Sequence, residues 1–110
     1  MYQLHVKTKT KESVLTREEV PALENLLDAL KVQRIDIQRN EADSEKLQKE
    51  WMNALVDFAI RFWGGHALTK KDVLTGVSAV DGYNEIMAAV VATLGYNDND
   101  DDEVNDDPKE

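Results

Sequence analysis

The chain has no cysteine among its 110 residues. That excludes disulfide staples, thiolate metal sites and thiol nucleophiles together. Only two histidines occur, His5 and His66, so the commonest general base and metal ligand is nearly missing. Proline is confined to Pro21 and Pro108, which leaves the stretch between them free for helices. No apolar run approaches the roughly 20 residues that span a bilayer, and the first residues lack the unbroken apolar segment of a secretory signal. A cytosolic protein without membrane contact is expected. The length suits one domain with one core.

Positive charge is also scarce, with 13 Lys and Arg against 22 Asp and Glu. The location of the excess says more than its size, because seven of the nine net negative charges fall between Asp98 and Glu110. Val104 is the only aliphatic residue there, too little apolar surface to offset the entropy of ordering. The reading is a single helical domain over residues 1–96 and a disordered acidic tail over 97–110. Asp98, Asp100 and Asp102 have the opening spacing of a calcium loop. Glu103 then stands where glycine is required and Lys109 where the bidentate glutamate belongs, so no metal site is expected.

What is present is a long helical pattern. Leu47, Trp51, Ala54, Leu55, Phe58, Ala59 and Phe62 recur at three- and four-residue steps, and Met52, Val56, Ile60 and Trp63 widen that stripe around the helix. A helix apolar over so much of its circumference is central to a core or to an assembly. Gly64 and Gly65 supply a residue able to take φ > 0 and end it. Thr69 and Asp72 then have capping-box spacing, with Leu68 and Val73 as the hydrophobic staple, and Gly76 stops this second helix after about two turns.

The run Phe62-Trp63-Gly64-Gly65-His66-Ala67-Leu68-Thr69-Lys70-Lys71-Asp72-Val73-Leu74-Thr75-Gly76-Val77 resembles the central motif of the tail assembly chaperones of long-tailed bacteriophages. In that family a helix ending in an aromatic residue and glycine is followed by aromatic-Thr-x-x-Asp-apolar and then Gly-apolar. Leu68 departs from it where the family usually has Phe, and Trp63 is an insertion before the glycines. The resemblance covers roughly Leu47 to Gly95. It implies a non-enzymatic assembly factor in the host cytoplasm, absent from the mature virion, that binds the tape measure protein and recruits tail tube subunits.

Elsewhere, Tyr2, Leu4 and Val6 alternate with polar residues as a half-buried strand does, and Ser13 to Leu15 is a candidate partner strand. Leu23, Leu26, Leu27 and Leu30 form a helical stripe that starts near Pro21 and runs to about Val32, with Gln38 to Ser44 as the following loop. Asp43 or Ser44 would cap the long helix, and Ser78 or Asp81 the last one, which carries Tyr83, Ile86, Met87, Val90, Val91 and Leu94 and ends at Gly95. The fold class is therefore mainly α, a small domain of three to four helices with a short N-terminal β-hairpin.

No cluster reads as an active site or a cofactor site, and the protein is read as no enzyme. His66 is taken as a turn residue. Trp51, Phe62, Trp63 and Leu68 are the candidate partner-binding residues. Trp63 leads them, since it lies about 100° around the helix from Phe62 and both are not expected to enter one core. The helix after Asp81 has no Lys or Arg, which disfavours nucleic-acid binding. Surplus apolar positions suit weak homo-oligomers and capture of an apolar helix. The competing class is an acidic DNA mimic or inhibitor covering a basic surface of a host protein, but its charges lie in a tail rather than on folded elements.

Overall fold

A computed structural model describes residues 1–8, 11–42, 44–64 and 68–95. Asp43, Gly65, His66 and the acidic tail, each assigned a role from sequence, lie outside them. Strands β1 (Tyr2–Lys7) and β2 (Glu12–Arg17) pair antiparallel, with Leu4 opposite Leu15 and Val6 opposite Ser13. The four helices are α1 (Leu23–Glu41), α2 (Glu45–Phe62), α3 (Lys70–Gly76) and α4 (Asp81–Thr93). The mainly α fold with an N-terminal hairpin is the one expected.

Helix α2 is the centre. Ser44 caps it, its hydroxyl accepting from the Leu47 amide at 3.3 Å. Helix α1 packs along α2 and also meets α4, α3 packs on α2, and the hairpin lies against α3, α4 and the end of α2. That arrangement explains an apolar pattern too wide for one face. Trp51, Ala54, Leu55, Val56, Phe58, Ala59 and Phe62 are all buried, in one core with Leu4 and Val6 of β1, Val73 of α3, and Ile86, Ala89 and Val90 of α4.

The capping box before α3 is formed in both directions, Asp72 N–H to Thr69 Oγ1 at 3.1 Å and Thr69 N–H to Asp72 Oδ2 at 3.2 Å. Ser78 serves α4, accepting from the Gly82 amide at 3.0 Å, although the helix itself begins at Asp81. Gly95 ends the described chain beyond α4 with φ of 91°.

Several boundaries differ from the sequence reading. Thr16 belongs to β2, which runs on to Arg17, and α1 starts two residues after Pro21. Asn25 replaces the missing cap by reaching back to accept from the Ala22 amide at 2.8 Å. Helix α1 also continues to Glu41, through residues assigned to a loop. Gly64 does not provide the positive φ expected of the α2 terminus, and Trp63 occupies the C-cap instead. Gly76 is the last residue of α3, and glycine is needed there for space, because a Cβ would stand 2.9 Å from the Lys7 carbonyl oxygen.

Candidate protein interaction surface

Three of the four residues singled out from sequence are inside. Trp51, Phe62 and Trp63 are buried, and Leu68 alone keeps partial exposure. Trp63 is the correction that matters, at 1% exposed instead of facing solvent. Its position past the last turn of α2 lets the N-terminus of β1 close over it. The indole Nε1–H donates to the Tyr2 carbonyl at 3.2 Å, and the ring meets Phe62 edge-on at 4.8 Å. Two adjacent aromatics can thus enter one core when the second is a cap residue with φ of −106° and ψ of 32° and a hairpin covers it.

Cations hold these aromatics in place. Arg17 donates through Nη1 to the Phe62 carbonyl at 2.9 Å, its guanidinium lies 4.7 Å from the Phe62 ring centroid, and Nε and Nη2 donate to the carbonyls of Glu19 and Val20. One side chain therefore satisfies a carbonyl at the end of α2 and fixes the segment that leads into α1. Arg39 lies 3.7 Å over Trp51 and bonds Asp36 Oδ1 at 2.7 Å. Neither arginine had a sequence signal, since the contacts of Arg17 with Phe62 and of Arg39 with Trp51 join segments brought together only by the fold.

The surface itself lies on α1. Asn25, Ala29, Val32 and Ile35 are the buried residues of that helix, whereas three of the four leucines of the expected stripe face out and Leu26 is half-buried. Leu23 is 79% exposed, Leu27 69%, Ile37 54% and Leu30 45%. The stripe is real, but it faces solvent on the opposite side of the helix from α2. The signal for its inner counterpart was weak because Asn and Ala carry little hydropathy.

An open cleft beside β1 is lined by His5, Lys7, Glu12, Asp81 and Glu85, where Glu85 accepts from both the backbone amide and the ring of His5. Among the described residues no group of three His, Cys, Asp or Glu is placed to hold a metal ion, and no helix is long and apolar enough to cross a membrane. The arrangement offers contact chemistry, an aliphatic helical face.

Comparison with known proteins adds one match. The family model described as phage tail chaperone protein matches residues 1–110. No curated protein and no solved structure matches the chain.

Proposed function

The chain belongs to the phage tail chaperone family, and from that premise we propose that it is a non-catalytic assembly factor that binds the tape measure protein and recruits tail tube subunits. It acts in the host cytoplasm, associates weakly with itself, and leaves before the virion is complete. Residues 1–96 form the single working domain, and the acidic residues 97–110 keep a sticky assembly soluble.

The observation that carries this reading is the aliphatic face of α1. Leu23, Leu27, Leu30 and Ile37 on one 19-residue helix are what an amphipathic client helix needs in order to bury its own apolar stripe. Co-expression with the tape measure protein and a pull-down at low and high salt tests it. Capture through apolar burial should persist at high salt, because screening weakens exposed charge pairs and leaves apolar contacts intact or stronger. Loss of the complex at high salt would favour an acidic mimic of DNA.

A further inference from the structure

Helix α1 has apolar faces on opposite sides, and only one of them has a partner among the described residues. Leu23, Leu27 and Leu30 are separated by steps of four and three, the spacing of a heptad seam. Arg34 occupies the next seam position and Ile37 the one after.

We propose that this seam docks against α1 of a second copy of the chain, with the two helices antiparallel. A two-fold axis between residues 28 and 29 sets Leu27 of each copy against Leu30 of the other. It also sets Leu23 beside the aliphatic stem of Arg34. The charges fit the same axis. Glu24 flanks the seam and falls next to Lys31 of the other copy, within reach of Arg34 as well, and symmetry repeats the arrangement. None of these three residues closes a salt bridge within its own chain among the described residues.

A parallel pairing would instead place Arg34 against Arg34 in the seam, which selects the antiparallel arrangement. An arbitrary apolar helix would satisfy the leucines but would not require this order of Glu24, Lys31 and Arg34. The contact is small. A helix of 19 residues is about 28 Å long and about 10 Å wide, well under the about 800 Å² per partner of a stable complex, so the dimer forms only at high concentration. This inference rests on the self-association in the proposed function and not on capture of a client.

Sedimentation equilibrium of the full chain over a wide concentration range tests it. The wild type should move from monomer to dimer. Leu27→Glu should stay monomeric with an unchanged helical spectrum and melting temperature, because Leu27 is exposed in the monomer. Glu24→Lys and Lys31→Glu should each weaken the dimer about tenfold, as two attractive pairs become repulsive. An equimolar mixture of the two variants should recover dimerisation, since both pairs between positions 24 and 31 across the axis would then join a lysine of one variant to a glutamate of the other. A mixture no better than either variant alone would overturn the antiparallel seam, as would wild-type dimers indifferent to Leu27→Glu. A wild type that is monomeric up to about 1 mM also overturns it. If Leu27→Glu then loses a co-expressed tape measure protein, the face holds a client and the chaperone reading stands without the dimer.

Discussion

At the scale of single residues, burial and hydrogen bonding decide what each aromatic or charged group can do. Trp63 fills the core and satisfies the Tyr2 carbonyl, so Trp63→Ala should cost about 3–5 kcal/mol in urea melts, the usual range for losing a large buried aromatic. Loss of partner capture without loss of stability would place the ring at an interface instead. Asp28 is the titrating counterpart. Burial pushes its carboxyl above the ordinary value of 3.8, with Arg61 pulling the other way from 3.2 Å. The folded state thus holds this proton more tightly than the unfolded chain does. The group's cost to stability is absent below 3.8 and grows as pH rises through the raised folded value. Asp28→Asn should remove that dependence, so wild type should lose ground to the variant between about pH 3 and pH 7. A stability difference that is flat, or that runs the other way, would mean that the Arg61 pairing outweighs burial.

At the scale of elements, the turns and caps were more legible than the faces. Thr69 with Asp72, and Ser44 before α2, were readable because a cap is a local bond between residues three apart. The orientation of α1 was not, because spacing tells which side chains share a face and says nothing about what that face meets. Leu23, Leu27 and Leu30 outweighed Asn25 and Ala29 in hydropathy, yet the smaller pair is the one buried. Its length escaped for a related reason, as Gln38, Arg39 and Asn40 read as loop but continue the helix, with Arg39 anchored on Trp51. Two substitutions separate local from spatial constraints. Thr69→Ala should cost about 1 kcal/mol by loss of a cap. Gly76→Ala should cost more than the small gain in helix propensity returns, because its Cβ would meet Val6 Cγ1 at 2.8 Å and the Lys7 carbonyl at 2.9 Å. Chemical denaturation of both checks this, and a stabilised Gly76→Ala would show that β1 and α3 can part without cost.

At the scale of the whole molecule, every core residue described lies between Leu4 and Val90. Removing residues 97–110 should therefore leave the melting temperature within a few degrees of the intact chain. A large drop in a thermal melt would show that the acidic segment packs on the body. One further consequence comes from the contacts along β1. The His5 amide is taken by Glu85 and the Lys7 carbonyl is abutted by Gly76, so at these two positions the side of β1 that faces away from β2 is closed to another strand. A sheet barred from growth on one side cannot extend into an open-ended ladder, whatever happens at β2. Contacts of this kind work against amyloid-like stacking of the hairpin through β1.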